Sequence, residues 1–450
     1  MLSLFSKLFE KLIHKQIFNY LNENNIINNS QYGFRTNHST FHALINATEN
    51  LYKSLDNKLH TLAIFIDFSK AFDTVDHSIL YNKLQHYGIQ GNLLELIKNY
   101  LSDRSQYVYY GNNQSTNLPV RYGVPQGSVL GPLLYIIFIN DIINATDMAK
   151  FVLFADDSNI FVSHSDRSGL YKRSNQILQD IYHYCSANKI IINYEKCCFI
   201  EFKCTDKDTD FSLSFQNHKL EKVDKCKFLG IYINANLDWK DQIANVKKLV
   251  AQATGVLFSI KSVVPQKILR SIYFALVQPY FVYSMPIWAS NHSTQDFNSL
   301  FKLQKKAIRI ITNKTAKIDG KFQHTKPLFK KANILTIHNL YNYLSASEAK
   351  KILCLCKPNN IYNFFIKSTR SEFLILPKFK KETFKSNSFI YNASKIINHF
   401  LINNIKLNET SQLTFKVLVK RYLMMNQNAS IKGEPDWLPC NLSIFSDIVI

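Results

Sequence analysis

Residues 151–161 read FVLFADDSNIF, and residues 61–68, further upstream, read TLAIFIDF. Short apolar runs bounded by polar residues read as buried strands. The first stretch predicts strands over 151–155 and 159–163 around a hairpin tip at Asp156, Asp157 and Ser158. The second predicts one strand ending at Asp67. A carboxylate in apolar surroundings is unfavourable unless it is paired or bound to a cation. Two adjacent Asp add mutual repulsion. A divalent cation removes the difficulty, and Mg²⁺ is commonly held by one or two carboxylates together with substrate phosphates. On these residues alone a plain polar β-turn stays open as the alternative, because Asp and Ser are ordinary turn residues.

Working outward, helical spacing appears over 3–23, where Leu4, Leu8, Leu12, Ile13 and Ile17 form one stripe. It recurs over 40–54, 77–87, 91–101, 128–144 and 170–187. In the 128–144 segment Gly131 and Pro132 fall in the first turn, where Pro is tolerated. Strands are predicted over 105–110, 118–122, 190–193, 198–202, 213–215 and 228–233. After Trp239 the pattern turns helical, over 243–263, 266–283, 296–311, 328–333 and 336–353, and a loop-rich tail follows Pro358. The fold class is α+β, with a boundary near residue 240.

The charge changes near the same boundary. The 450 residues carry 54 Lys and Arg against 33 Asp and Glu, net +21. Residues 1–240 hold 24 basic and 23 acidic residues; residues 241–450 hold 30 and 10. A balanced part followed by a basic part suits chemistry in the first and a polyanion held by the second; a general Lys and Asn bias explains it equally well. With 46% apolar residues and few Gly and Pro, wholesale disorder and collagen-like classes are excluded. Eight scattered Cys predict reduced thiols and an intracellular protein. Cys197, Cys198, Cys204 and Cys226 lack His partners at zinc spacing, and Cys354 and Cys356 stand apart, so no zinc is expected. Residues 1–17 carry Lys7, Glu10, Lys11 and Lys15 and do not read as a signal peptide. The uncharged stretches 122–140 and 271–289 contain Pro, Gly or Gln and read as buried core. Tyr341, Tyr343, Phe364, Phe365, Phe379 and Phe384 lie between basic residues; they can stack on bases, though helix-core packing suits most of them.

Several segments, in order, resemble the reverse transcriptases of non-LTR (LINE-type) retrotransposons, especially jockey-like elements. They are LFSKLFEKLIHKQIFNYL (4–21) with SQYGFRTNHST (30–40), LAIFIDFSKAFDTVDHSIL (62–80), YLSDRSQYV (100–108) with YGVPQGSVLGPLLYIIFINDI (122–142), FVLFADDSNIF (151–161), INYEKCCFIEF (192–202) and KFLGIYINANLDW (227–239). The tail 369–400 and FKVLVKRYLM (415–424) are similar too, although Ile396-Ile397-Asn398 stands where the family commonly has a Trp-Asn pair. The resemblance implies a right-hand polymerase: fingers over 1–60, a palm with an antiparallel sheet over 61–240, a helical thumb-like domain over 241–357 and a basic tail over 358–450.

The same resemblance implies roles. Asp67 and Asp156 are the principal ligands of two Mg²⁺ ions (Mn²⁺ being an alternative), with Asp157 assisting. Phe68 offers its backbone carbonyl to the metal or phosphates. Phe72 falls where the family has its steric gate against the 2′-hydroxyl. Arg35 contacts the incoming triphosphate; Gln126 and Gly127 line the nucleotide pocket. Lys196 stands where a lysine protonates the leaving pyrophosphate, although Cys197 and Cys198 follow where a hydroxyl residue is more usual. Phe228, Leu229 and Gly230 form the primer-gripping hairpin. Implied partners are an RNA template, a DNA primer or nicked target DNA, and dNTPs, without a membrane; the nucleus is the implied site of action. Nothing in the sequence resembles the family's endonuclease, so an endonuclease in trans or a fragment of an inserted element is expected. The other readings are an inactive remnant that retains nucleic-acid binding, and an RNA-templated RNA polymerase or intron maturase. The aspartate motif and Phe72 argue against RNA synthesis, and the long tail against a maturase.

Overall fold

The computed structural model describes residues 4–203, 211–290, 295–314, 317–318, 321–322, 324–369, 371–407 and 411–426. They form two compact units. One comprises the residues up to Ala47 with Asn57–Lys225, the other Thr48–Asp56 with the residues from Cys226 onward.

The first unit is built on five strands: β1 (His60–Ile66), β2 (Lys150–Phe154), β3 (Asp157–His164), β4 (Cys198–Phe202) and β5 (Glu221–Lys222). Their order is β5-β4-β1-β3-β2. β1 runs antiparallel to β3, from His60 opposite His164 to Ile66 opposite Ser158. On its other side it runs antiparallel to β4, with Phe65 opposite Cys198; β5 joins β4 in parallel. Leu62, Ile64 and Ile66 of β1 enter the main core with Ile160 and Val162 of β3, as alternate residues on one sheet face do. Every residue of β1 after His60 is buried, so the strand is a continuous apolar run rather than an alternating one.

The helices of this unit are α1 (Leu4–Glu23), the start of α2 (Thr40–Asp56), α3 (His77–His86), α4 (Gly91–Leu101), α5 (Gly131–Ile139) and α6 (Arg167–Ala187). All of α5 except Pro132 is buried, as a helix apolar on every side must be. It begins three residues later than its periodicity predicts. The Val129 and Leu130 amides donate to Glu10 Oε2, a carboxylate buried on α1, and the Gly131 amide donates to Ser128 Oγ. Side chains thereby satisfy donors that a helix start leaves without intrahelical partners. Among the described residues no helix is long and apolar enough to cross a membrane.

In the second unit a hairpin, β6 (Lys225–Phe228) and β7 (Ile231–Asn234), leads into α7 (Lys240–Ile260). The Tyr232 amide donates to Gln242 Oε1 at 3.0 Å. The hairpin therefore goes with the helices, and the units divide at 225/226 instead of near 240. α7 packs along α8 (Gln295–Ile311), and α9 (Ile337–Leu355) packs against two later helices, α11 (Phe389–Ile402) and α12 (Gln412–Met425). α10 (Glu382–Asn387) precedes α11.

The end of α2 groups with this unit, whereas the family resemblance implies that all of 1–60 stays together. Asp56 accepts from the Lys380 and Lys381 amides, both at 2.8 Å. Glu49 accepts from the Ser388 hydroxyl and the Ile390 amide, at the start of α11. Burial pushes the Glu49 carboxyl up to about 7 from an ordinary 4.5, against the lowering effect of these donors. A folded-state value above the unfolded one means that the contribution is complete below about pH 4.5 and is lost as pH rises through about 7. Relative to Glu49→Gln, the wild type is expected to lose about 3 kcal/mol across that window. Parallel denaturation curves of the two proteins at pH 4.5, 6 and 8 measure it; a constant difference refutes it.

Candidate active site

The pairing register brings the carboxylates together. With Ile66 opposite Ser158, one further step along each strand sets Asp67 and Asp157 at the same end of the sheet. β2 and β3 close with Phe154 opposite Asp157, so the turn residues are Ala155 and Asp156. The tip is one residue earlier than expected, and Asp157 begins β3. Ala155 takes φ 56, a left-handed conformation unusual for a residue with a Cβ. The Asp157 carboxyl is pushed up to about 6, first by desolvation among the neighbouring strands, then by the charges of Asp156 and Asp67.

Asp67 is held from the other side. Its backbone carbonyl accepts from the Asn193 amide at 2.9 Å, and its Oδ2 accepts from Asn193 Nδ2 at 2.9 Å. Phe68 faces Ile192 across an isolated antiparallel bridge, flanked by bonds from Asn193 to Asp67 and from Ser69 to Ile191. By strand geometry those bonds turn the carbonyl of Phe68 to the opposite edge, the side of the Asp156 turn. The expected strand over 190–193 is reduced to this bridge. A turn over 193–197 presents Lys196, largely exposed, with Nζ 3.6 Å from Asp67 Oδ2. Of the two residues that depart from the family pattern, Cys197 is buried, with its thiol raised by burial to about 11, and Cys198 is partly buried.

Phe72 is half-buried, stacked on Tyr135 at 4.5 Å and edge-on to Phe34 at 6.4 Å. The Tyr135 phenol is pushed up by burial and then by the charges of Asp156, Cys185 and Asp157, which sets the Phe72–Tyr135 pair against the acidic turn. Gln126 is exposed and donates to Asp73 Oδ1 at 2.8 Å. The Val124 amide bonds the Phe72 carbonyl and the Gly123 amide the Val75 carbonyl. Gly127 has φ 79 with open space where a Cβ would sit. Arg35 is turned into the fold: Nη1 donates to the carbonyls of Asn28 and Gln31, and burial lowers its guanidinium to about 10.

Two residues of the segment 30–40, Gln31 and Gly33, position the site. Gln31 is fully buried; its Oε1 accepts from the Gly33 amide at 2.8 Å and from the Ala155 amide at 3.0 Å. Residues 30–32 lie along β2, bonded to both polar groups of Leu153. A Cβ on Gly33 would stand 2.5 Å from the Ala155 nitrogen, so only glycine admits the acidic turn this close. Asn193 carried no sequence signal.

Phe228, Leu229 and Gly230 lie in the second unit, where Leu229 has φ 44 and Gly230 φ 85. Tyr283 Oη donates to the Leu229 carbonyl at 2.7 Å. Among the described residues no three His, Cys, Asp or Glu side chains form a ready-made metal cage, and Cys204 lies outside them.

A family model described as reverse transcriptase (RNA-dependent DNA polymerase) matches residues 1–233, just over half of the chain. The chain belongs to the reverse transcriptase family. Among its relatives, the chain is 29% identical over 332 residues to the "Probable RNA-directed DNA polymerase from transposon BS" of Drosophila melanogaster, covering 70% of this chain and 36% of that protein. It is 26% identical over 326 residues to the RNA-directed DNA polymerase from mobile element jockey of the same organism, covering 68% and 34%. The chain thus spans about a third of the length of these curated relatives. Their names agree with the motif resemblance to non-LTR elements. Among solved structures, apo telomerase from Candida tropicalis aligns with 80% of this chain and 61% of that one, at 13% identity and a TM-score of 0.40.

Proposed function

We propose that the protein is an RNA-directed DNA polymerase of a non-LTR retrotransposon, extending a DNA 3′-hydroxyl on an RNA template as in target-primed reverse transcription. The observation that carries this reading is the register that sets Asp67 beside the Asp156–Asp157 turn, with Asp157 raised first by desolvation and then by its two acidic neighbours. The sheet is then the palm, with the residues before it in the fingers and the later helices in the thumb.

The donor chemistry suits a divalent cation, though the three side chains are not drawn into a cage: carboxylates share one sheet end, and desolvation and mutual repulsion there are what a cation relieves. Asp67 and Asp156, with Asp157 assisting, would hold Mg²⁺, which supplies activation of the attacking 3′-hydroxyl and stabilisation of the leaving pyrophosphate. The protein's own part is positioning and charge. Lys196 is close enough to Asp67 to reach the same phosphates and to give its proton to the leaving oxygen. Phe72, braced by Tyr135, presents a ring beneath the sugar. Gln126 and Gly127 border the nucleotide. Arg35, with Nη1 committed to two carbonyls, keeps the Gln31 loop on the hairpin. In the second unit, residues 228–230 grip the primer, and the basic helices hold the duplex backbone, with affinity that falls steeply with salt.

Primer extension tests this. Purified protein, an RNA template annealed to a DNA primer, dNTPs and Mg²⁺ should give products that end at the template 5′ end. Nucleic-acid binding with no extension by the unmutated chain would establish an inactive remnant instead. Phe72→Val should lower the preference for dNTPs over rNTPs by about 10–100-fold in kcat/KM. An unchanged sugar preference would remove the gate assignment.

A further inference from the structure

Residues 102–122 form a two-stranded ribbon with no core of its own. Ser105 pairs with Pro119 and Gln106 with Leu118; Tyr109 pairs with Gln114 and Tyr110 with Asn113. Gly111, at φ 60, turns the tip, and Val108 and Ser115 bond across the middle. All of residues 105–119 are exposed. Tyr107, Tyr109 and Tyr110 are 54%, 65% and 85% exposed, and Tyr122 at the base is 56% exposed. A lone two-stranded hairpin is marginal in water, and a cluster of exposed aromatic rings marks a contact surface.

Charge selects the occupant. The ribbon carries Arg104 and Arg121 against a single acid, Asp103 at its base, and from Arg104 to Asn140 there is no Asp or Glu. The rest of the ribbon is mainly Asn, Gln, Ser and Thr, which donate to phosphates and base edges. Tyr rings take any base face, so stacking on them tolerates every sequence. The ribbon is also continuous with the site, because its second strand leads directly into Gly123 and Val124, zipped to Val75 and Phe72. We infer that the ribbon is a stacking platform for single-stranded nucleic acid, and that it takes the unpaired template next to the nucleotide pocket. The word template rests on the polymerase reading; the platform itself does not.

Two anisotropy probes separate these claims: a blunt primer–template duplex, and the same duplex with a single-stranded template overhang of about ten nucleotides. For Tyr109→Ser/Tyr110→Ser in the full chain, the expected result is a Kd higher by about ten-fold or more on the overhang probe. The Kd on the blunt probe and the melting curve should not change. Tyr109→Phe/Tyr110→Phe, which keeps the rings, should bind the overhang like the wild type. An unchanged overhang Kd in the folded Ser variant, or an equal loss on both probes, overturns the platform. So does a Ser variant that breaks up a self-associated wild type in sedimentation while its overhang affinity stays put, which would make the ribbon a protein contact. Ribbon-dependent overhang binding by a protein that extends no primer would uphold the platform and remove the polymerase reading. Normal extension with ribbon-independent binding would do the reverse.

Discussion

Asp156→Asn should abolish primer extension, with a loss on the order of 10³-fold or more, about 4 kcal/mol of transition-state stabilisation. The exchange keeps the size of the side chain at the hairpin tip and removes its charge. The fold has no stake in that charge. Asp156 stands exposed on the turn and acts on its neighbours by repulsion, raising both Asp157 and Tyr135. The folded chain should therefore melt at the wild-type temperature or slightly above it, and should bind a duplex at least as well. Loss of catalysis without loss of fold is the signature of a cation ligand. Asp67→Asn should match it, and Mg²⁺ titration of any residual activity should show a raised half-saturation. Asp157→Asn should fall less, by about 10–100-fold, as befits an assisting group. Extension by Asp156→Asn at the wild-type rate would remove the carboxylate assignment altogether. A larger loss at Asp157 than at Asp156 would reverse their ranks.

The acidic hairpin was legible because it depends on local chemistry: apolar strands of period two, and turn residues between them. Its tip was placed one residue late because Ala155 occupies a left-handed position that its own side chain disfavours. The partner that stabilises that position, Gln31, lies 124 residues earlier, and no pattern within a short window reveals it. Asn193 was illegible for the same reason: its bonds to Asp67 depend on where the 193–197 turn meets β1. Of the rings between basic residues in the second half, Tyr341, Phe365 and Phe384 are buried, as the helix-core reading expects for most of them. Three strongly exposed rings, Tyr107, Tyr109 and Tyr110, lie instead in a stretch whose pattern reads as a routine strand. Exposure is decided by what packs on a strand, and nothing in this chain covers that ribbon among the described residues.

Glu201→Ala should destabilise the carboxylate-bearing unit by about 3–5 kcal/mol, a large share of the roughly 5–15 kcal/mol that holds a typical domain. Glu201 lies on β4, 3% exposed. Its carboxylate accepts from Arg167 Nε at 2.7 Å and Nη2 at 3.0 Å, from Tyr171 Oη at 2.9 Å and from Lys222 Nζ at 2.6 Å. One side chain thus joins β4, α6 and β5. Desolvation opposes its charge, but these donors prevail and hold the carboxyl down to about 2. Removing it leaves the guanidinium of Arg167, itself buried, without its bidentate partner. Much of the expected loss comes from a buried guanidinium deprived of its carboxylate rather than from the pair's net worth. Glu201→Ala/Arg167→Met should therefore recover part of the stability, because it removes that buried charge as well. In acid the sign is the usual carboxylate one: the contribution is complete above about pH 4.5 and is lost as pH falls through about 2. Urea titration of the wild type, the single variant and the double variant at pH 7 measures all three. The bonds of Glu201 run to α6 and β5 and not to Asp67, so the substitution is expected to reach the site through the population of folded protein. Extension per folded molecule should then stay near wild type in Glu201→Ala, whereas a loss beyond the unfolded fraction would make the cluster part of the catalytic geometry.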